Sequence, residues 1–187
     1  MKKVIYTSIF GNYDKLHYQE YIPDGYDLII FTDSDIKSDQ WEVRKELSIY
    51  QDNVRNAKRF KILPHRFLKE YDISIYIDGN YIVKKDINEL VNTFLSDANA
   101  AFYDHNQQPA YDKRNCIYQE AYAIKQLYDM NTSPNKKPKD NLDIIFKQME
   151  TYKTFGYPEQ NGLINGGIIL RRHNEQDCIQ TMEDWWS

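Results

Sequence analysis

Residues 71–83 contain the feature that most constrains the fold, an apolar strand that leads directly into an acidic residue. The side chains at 73–77 are almost all β-branched or aromatic, which is typical of a strand buried on both faces of a sheet. Asp78 comes next, and Gly79 and Asn80 then favour a turn. Open parallel sheets bind ligands at the carboxyl ends of their strands. We therefore expect Asp78 to face a ligand; the alternative is that it only braces the turn.

Length and charge limit the class of protein. The 187 residues suffice for an α/β domain with a buried core, and no low-complexity segment divides them, so we expect one domain over residues 1–187. The net charge of −4 gives no basic field of the kind that drives nucleic-acid binding. No apolar run is long enough for a signal peptide or a membrane span. We expect no nucleic-acid partner, no transmembrane segment and a cytoplasmic location.

A candidate binding segment follows the first predicted strand, residues 3–9. After β-branched and aromatic residues, the chain enters Phe-Gly-Asn-Tyr-Asp at 10–14. Gly11 allows a ligand to approach the backbone closely, while Phe10 or Tyr13 can stack on a base. An ordinary β-turn has the same composition. The segment is neither the glycine-rich dinucleotide fingerprint nor a phosphate loop with its lysine and Ser/Thr.

The second predicted strand, residues 27–31, also brings acidic residues to its carboxyl end. The segment 32–35, Thr-Asp-Ser-Asp, closes it, and Asp33 is the better placed of the two acids for a ligand. Clusters of this kind are more often solvated turns and helix caps, so that interpretation stays open. Residues 41–47 alternate only loosely between apolar and polar side chains, which predicts a more exposed strand.

Residues 53–63 predict a basic helix, with Asn53 as its cap and a proline after its end. Arg55 and Lys58 are three residues apart and therefore share one helix face. That face can clamp a diphosphate, because guanidinium and ammonium groups suit phosphate oxygens. A merely solvated basic face is the alternative. His65 is interpreted as structural.

A polar cluster follows the predicted strand at residues 100–103. The sequence at 104–108 is Asp-His-Asn-Gln-Gln, and groups of this kind suit sugar hydroxyls, although surface loops commonly have the same composition. Asp104 and His105 are the candidates for contact with an acceptor. Capping and apolar spacing predict helices at 86–95, with Asp86 as cap, at 115–130 and at 140–153. Prolines and lysines predict an exposed connection at 133–140.

Small residues precede the last apolar strand. Asn165, Gly166 and Gly167 leave room for a ligand or another backbone, and an asparagine can orient a hydroxyl group. Alone, the same three residues could be a tight turn.

The final helix, predicted from residue 174, still carries Trp185 and Trp186 at its end. A helix that ends in large apolar side chains exposes apolar area unless something covers it. We therefore expect that the domain continues beyond Ser187.

These landmarks occur in an order that resembles the nucleotide-diphosphate-sugar glycosyltransferases of the A-type (GT-A) fold. More closely, segments 6–14, 55–58 with 61–65, 76–80 and 165–167 are similar to the glycosyltransferase-like family once catalogued only as a domain of unknown function. Plant members of that family are associated with cell-wall and mucilage polysaccharides. The resemblance covers nearly the whole chain, and it implies one Rossmann-like α/β domain with a mostly parallel central sheet flanked by helices.

The resemblance also implies roles for individual residues. The donor nucleotide sugar would contact Thr7, Phe10, Gly11, Tyr13, Asp33, Asn165 and Gly166, and its diphosphate would contact Arg55 and Lys58. Asp78 would hold a metal ion or the sugar. The wider superfamily has a second aspartate two residues later, where this chain has Asn80. An asparagine oxygen can ligate Mn²⁺ or Mg²⁺ but brings no charge, so the diphosphate would have to supply more of the coordination.

The leading hypothesis is a glycosyltransferase that moves a sugar from a nucleotide-diphosphate donor to a glycan acceptor in polysaccharide synthesis. Asp78, with Asp104 and His105 at the acceptor, would carry catalysis, and Mn²⁺ or Mg²⁺ would bind at Asp78 and Asn80. A non-catalytic nucleotide-sugar or glycan-binding domain is the alternative that the incomplete metal motif favours. A nucleotidyltransferase is a third possibility, but the glycine-rich basic loop expected near its amino terminus is missing.

Overall fold

The structure is a computed structural model that describes residues 1–107, 113–130 and 141–187. Its contacts divide the chain into two compact units, one of residues 1–102 and 166–187 and the other of residues 103–165. The expectation of a single domain stays a prediction. The connection predicted at 133–140, and Gln108 of the polar cluster, lie outside the described residues.

The described residues form a six-stranded sheet with the strand order β3-β2-β1-β4-β6-β5. Its strands are β1 (Lys3–Ile9), β2 (Tyr26–Thr32), β3 (Glu42–Lys45), β4 (Ile73–Ile77), β5 (Ala100–Asp104) and β6 (Ile164–Arg171). β1 pairs in parallel with β2 and β4, and β2 pairs in parallel with β3, whereas β6 runs antiparallel to β4. The predicted α/β class is confirmed. The prediction of a mostly parallel sheet is confirmed for β1 to β4, whereas the antiparallel β6 makes the sheet mixed.

The described residues form five helices: α1 (Asn53–Ile62), α2 (Asn88–Phe94), α3 (Ile117–Met130), α4 (Leu142–Thr154) and α5 (Gln176–Trp186). Short 3-10 turns cover Pro64–Arg66 and His105–Gln107. No helix among the described residues combines the length and apolar character needed to cross a bilayer.

Three local predictions need correction. Asp52, not Asn53, caps α1, because its carboxylate accepts a hydrogen bond from the Val54 N–H. Asp86 does accept from the Asn88 N–H at 2.9 Å, but α2 starts two residues after it. Residues 165–167 lie inside β6 instead of preceding it. Their small side chains therefore belong to a strand at the sheet, not to a turn before it.

The parallel strands bury both faces, as an apolar run without alternation predicts. One face joins Ile5, Ile9, Ile75 and Ile77 to α2 through Val91. The other is aromatic, and it joins side chains from β1, β2 and β4 to Phe60 of α1. In this second cluster the Phe31 and Phe60 rings stack with centroids 4.5 Å apart. α1 is thereby held against the aromatic face of the sheet.

Arg171, the last residue of β6, is fully buried beneath the end of α1. Its guanidinium donates to the Lys61 carbonyl at 2.7 Å, to the Ile62 carbonyl at 3.5 Å and to the Tyr6 hydroxyl. These two carbonyls belong to the last turn of the helix, where carbonyls have no partner within the helix and carry the negative end of its dipole. A cation in this position fixes the carboxyl end of α1 against the sheet.

The second unit has its own contacts. The Tyr118 hydroxyl of α3 donates to the Tyr157 carbonyl at 2.8 Å, and the Tyr122 and Phe146 rings of α3 and α4 meet edge to face at 5.5 Å. The Gly162 N–H donates to the Asn115 carbonyl at 3.1 Å. These contacts hold α3, α4 and the segment before β6 together.

Candidate active site at the carboxyl end of β4

Asp78 is the first residue after β4, and its carboxylate is paired with Lys61. The Lys61 Nζ lies 3.0 Å from the Asp78 Oδ1. The Asp78 side chain is 40% exposed and the Lys61 side chain 18% exposed, so a ligand can reach the pair although protein shields part of it. The backbone on both sides is fixed, because the Asp78 N–H donates to the Gly167 carbonyl and the Tyr81 N–H donates to the Asp78 carbonyl, each at 2.9 Å.

Tyr76 contacts both members of this pair. The Lys61 Nζ lies 4.8 Å from the centroid of the Tyr76 ring, within the range of a cation–π contact. The Tyr76 hydroxyl interacts with Asp78 and Ser8. Burial, and then the negative charge of Asp78, raise the pKa of Tyr76 well above its usual value, so this hydroxyl stays protonated at neutral pH.

Two glycines bring neighbouring strands close to the pair. A Cβ on Gly166 would lie 3.6 Å from both the Cε and the Nζ of Lys61, so the end of this side chain rests against β6. A Cβ on Gly79 would lie only 3.1 Å from the Ile9 Cδ1 and 3.3 Å from the Asp14 Cβ. The end of β4 therefore touches the end of β1, and the structure brings Asp78 and Gly166 together around Lys61.

The loop after β1 is a tight turn. The Tyr13 N–H donates to the Phe10 carbonyl at 3.4 Å, and the two residues between them, Gly11 and Asn12, have φ of +65° and +53°. Positive φ at both central positions is the pattern of a type I′ turn, which glycine and asparagine favour. A Cβ on Gly11 would also meet the Asn53 Nδ2 at 1.9 Å, so this turn lies directly against the start of α1.

Asp33 braces the same turn from the end of β2. Its two carboxylate oxygens accept from the Gly11 N–H at 3.0 and 3.2 Å, and Oδ2 also accepts from the Ser48 hydroxyl at 2.9 Å. Burial raises the pKa of Asp33, but the hydrogen bonds from Gly11, Ser48 and Ser34 outweigh that effect and leave the pKa below its usual value. Asp33 is therefore ionised at neutral pH and fixes the loop; its contact with a nucleotide stays a prediction.

The two aromatic candidates on either side of the turn, Phe10 and Tyr13, differ in their exposure. The Phe10 side chain is 1% exposed and its ring stacks on Phe60 at 5.4 Å, so this ring is committed to the core and is not free to stack on a base. Tyr13 is 56% exposed and is the aromatic side chain of the turn that a base can reach. Thr7 is 1% exposed in the middle of β1, so its side chain lies inside the sheet and not at its edge.

A cavity of about 520 Å³ adjoins this turn. Its lining includes Asn12 and Asp14 from the loop after β1, Lys37 and Asp39 from the loop after β2, and the Trp41 side chain. Both loops leave parallel strands at the same edge of the sheet, and the volume is within the range common for small-molecule sites.

The basic face of α1 has three members in sequence steps of three. The Arg55 guanidinium carbon lies 4.7 Å from the Tyr50 ring centroid and 5.5 Å from that of Trp186. Lys58 is exposed, and no carboxylate among the described residues pairs with it. Lys61, the third member, reaches Asp78. Sequence reasoning did not single out Lys61, although its spacing of three from Lys58 is the signal that could have identified it.

The two acceptor candidates belong to the second unit. Asp104 is exposed, and its Oδ1 accepts from the Asn106 N–H at 2.8 Å. His105 is 8% exposed; its Nε2 lies 3.0 Å from an Arg114 guanidinium nitrogen, and its N–H donates to the Leu163 carbonyl at 2.8 Å. Arg114 also pairs with Glu120. The roles of Asp104 and His105 at an acceptor stay predictions, as does that of Asn165, the second residue of β6.

Comparison with known families identifies the chain. Residues 31–180 match the family described as "TOD1/MUCI70, glycosyltransferase-like domain", which is most of the sequence. The chain belongs to this family. The resemblance inferred from the residues is therefore confirmed, and the TOD1/MUCI70 match includes the basic helix, Asp78 and the glycines of β6.

Other comparisons with this TOD1/MUCI70 domain are distant. No curated protein matches the sequence. Among solved structures, mouse xyloside xylosyltransferase 1 in its apo form is similar to 99% of this chain and 75% of its own, with 11% sequence identity and a TM-score of 0.42.

The residues of this TOD1/MUCI70 domain do not fit a divalent cation at Asp78 well. Mn²⁺ and Mg²⁺ need several oxygen ligands, preferably charged ones. Asp78 offers one carboxylate, which an ammonium group already neutralises, and Asn80 is an exposed, uncharged side chain. No group of three or more His, Cys, Asp or Glu side chains in the described parts of the chain could hold a metal ion. Among the residues that the structure describes, Lys61 is the cation placed beside Asp78.

Proposed function

We propose that this chain is a glycosyltransferase that moves a sugar from a nucleotide-diphosphate donor to a glycan acceptor, in the synthesis of a polysaccharide. The observation that carries the proposal is the Lys61–Asp78 pair at the carboxyl end of β4, beside the tight turn that follows β1. This edge is where open α/β sheets bind ligands. Membership of a glycosyltransferase-like family supports the choice of reaction.

In the proposed complex the nucleoside lies beside the turn after β1. Tyr13 supplies an exposed ring for stacking, and the backbone at Gly11, held by Asp33, can approach the ligand closely. The cavity next to the turn provides volume for the base. Thr7 and Phe10 contribute by shaping the strand end from within the core.

The diphosphate is proposed to bind along the basic face of α1. Arg55, Lys58 and Lys61 provide three positive charges on this face, and charge-assisted hydrogen bonds to phosphate are among the stronger interactions available. The sugar then lies over Asp78 and Gly166, where a carboxylate can accept hydrogen bonds from sugar hydroxyls. Asp104 and His105 of the second unit are proposed to contact the acceptor, and Asn165 the donor.

The direct test is transfer by the purified protein from a panel of nucleotide sugars to glycan acceptors, measured by release of the nucleoside diphosphate and by mass of the product. Asp78→Asn keeps the size of the side chain but removes its charge. We expect this variant to lose at least about 100-fold in kcat/KM, the usual effect of removing one electrostatic contact in an active site, with little change in melting temperature.

Asp24→Asn is the matched control, because Asp24 is exposed and precedes β2 at the opposite edge of the sheet. It should transfer sugar like wild type. Tight binding of a nucleotide sugar without turnover would support a non-catalytic binding domain instead. Absence of both binding and turnover across the panel would reject the proposal.

A further inference from the structure

We propose that Lys61 takes the part of the divalent cation, so that this domain binds a nucleoside diphosphate and transfers sugar without a metal ion at Asp78. This inference rests on the proposed glycosyltransferase function. It goes beyond the diphosphate contact proposed above, because it makes Lys61 the group that offsets the repulsion between the Asp78 carboxylate and the diphosphate.

The Lys61 ammonium is held where a cation would be needed. Its Nζ lies 3.0 Å from the Asp78 Oδ1, over the Tyr76 ring and against the backbone at Gly166. An ammonium group has three N–H donors, and Asp78 is its one hydrogen-bond acceptor among the described residues. The remaining donors are available to phosphate oxygens.

The main chain of Lys61 is as firmly placed as its side chain. The Arg171 guanidinium and the Tyr6 hydroxyl both donate to the Lys61 carbonyl, at 2.7 and 3.2 Å. Arg171 and Tyr6 are fully buried. The ammonium is therefore preorganised by contacts at both ends of the residue, and little ordering is left to occur when an anion binds.

A divalent cation would compete with this ammonium. A hard cation binds carboxylate oxygen at about 2.0–2.6 Å. Such an ion on the Asp78 Oδ1 would lie no more than about 5–6 Å from the Lys61 Nζ, given the 3.0 Å between that nitrogen and the same oxygen. Two positive charges at this distance repel each other, and Asn80 offers no charge to offset the repulsion. The residues around Asp78 therefore favour the Lys61 ammonium over a divalent cation.

Lys61 and Asp78 have separate roles in the proposed transfer of the sugar. The bond between the anomeric carbon and the β-phosphate oxygen breaks, and its electron pair stays with the diphosphate. An acceptor hydroxyl oxygen forms the new bond to that carbon, and its proton passes to solvent. Lys61 neutralises the charge that develops on the leaving diphosphate, while Asp78 orients Lys61 and accepts from sugar hydroxyls.

The test measures binding of nucleoside diphosphates (UDP, GDP, ADP and CDP) by calorimetry, once in EDTA and once with Mn²⁺ or Mg²⁺. We expect one of these diphosphates to bind with affinities that agree within about threefold in the two conditions. The reason is that, in this proposal, no metal ion binds together with the diphosphate. Lys61→Met should weaken that binding by about 10- to 100-fold, the loss of one charged hydrogen-bonding group. Lys61→Arg should recover part of the loss.

Lys69→Met is the control, because Lys69 is exposed and precedes β4, at the edge of the sheet opposite Asp78. It should bind like wild type.

Asp78→Asn distinguishes further between Lys61 and a metal ion as the cation. If Lys61 is the cation, this variant retains diphosphate affinity while losing transfer; if a metal is the cation, it loses both. Melting temperatures report whether each variant is folded.

Binding that appears only with Mn²⁺ or Mg²⁺ would overturn the role of Lys61 and leave the glycosyltransferase proposal standing. Binding in EDTA that is unchanged in folded Lys61→Met would also overturn it. If no nucleoside diphosphate binds in either condition, the proposed function falls and this inference with it. The comparison of EDTA with metal uses the wild-type protein alone, so it decides the question even if a Lys61 variant does not fold.

Discussion

Replacing Arg171 by methionine should destabilise the protein, although Arg171 forms no ion pair with any residue that the structure describes. Arg171 is fully buried, and in the described parts of the chain none of its hydrogen-bond partners is a carboxylate. Methionine fills a similar, flexible volume, so packing changes little. A change in the free energy of unfolding of this variant therefore reports the hydrogen bonds of the guanidinium and not the volume of the side chain.

The magnitude follows from these contacts. The two short bonds, to the Lys61 carbonyl and the Tyr6 hydroxyl, contribute about 1.5–3 kcal/mol each as charged hydrogen bonds, or about 3–6 kcal/mol together. The buried Arg171 Nε has no hydrogen-bond partner among the described residues, and removing this group offsets about 1–3 kcal/mol of the loss. We expect the free energy of unfolding to fall by about 3 kcal/mol. For a chain of 150–250 residues this lowers Tm by about 6–12 °C.

Urea unfolding followed by circular dichroism, together with thermal melting, measures this loss. Arg172→Met is the matched control, because the next residue is only partly buried and its guanidinium donates to a single carbonyl oxygen, that of Leu95, at 3.0 Å. It should cost less than about 1.5 kcal/mol. If Arg171→Met proves as stable as wild type, the penalty of burying the charge cancels its hydrogen bonds, and our account of the end of α1 is wrong.

Three further predictions use other parts of the first unit. Gly11→Ala should lower Tm more than Gly25→Ala, because both positions have positive φ but only the first would place a Cβ 1.9 Å from the Asn53 Nδ2; adding Asn53→Ala should remove most of the difference. Asn56→Ala should lower the unfolding free energy by about 3 kcal/mol, since a side chain only 1% exposed makes three hydrogen bonds to backbone of about 1 kcal/mol each; a loss below 1 kcal/mol in urea unfolding would contradict this. Burial lowers the pKa of His173 to about 4, so the folded state resists protonation that the unfolded state accepts below about pH 6.5. The unfolding free energy should therefore fall by up to about 3 kcal/mol between pH 6.5 and pH 4, and His173→Gln should show a smaller slope in denaturation measured across this range.

The sequence predicted the parts of the fold that depend on local pattern. The β-branched and aromatic residues at 73–77 favoured a strand buried on both faces, and the residue that follows such a strand lies at the edge of the sheet. The position of Asp78 followed from that alone. The helix containing Arg55 and Lys58 was likewise predicted from the proline after its end, although its cap is Asp52 and not Asn53.

What the sequence could not show were contacts between distant residues and the direction of side chains in turns. Lys61 and Asp78 are 17 residues apart, and Arg171 and Lys61 110 residues apart; no local pattern links such pairs. Phe10 was predicted as a stacking surface, but the positive φ values that follow it leave its ring in the core and carry the chain outward to Tyr13. That direction depends on turn geometry, which glycine and asparagine permit but do not determine.

The recognition of α1 by Arg171 has a consequence for how such a domain can diversify. Arg171 contacts the carbonyls of Lys61 and Ile62, and every residue type has a carbonyl. Substitutions at position 61 can therefore change the chemistry at the strand end while the anchor beneath it remains. A lineage could exchange the group that meets the leaving phosphate, lysine for arginine or for a smaller side chain that makes room for a metal ion, without first having to rebuild the scaffold.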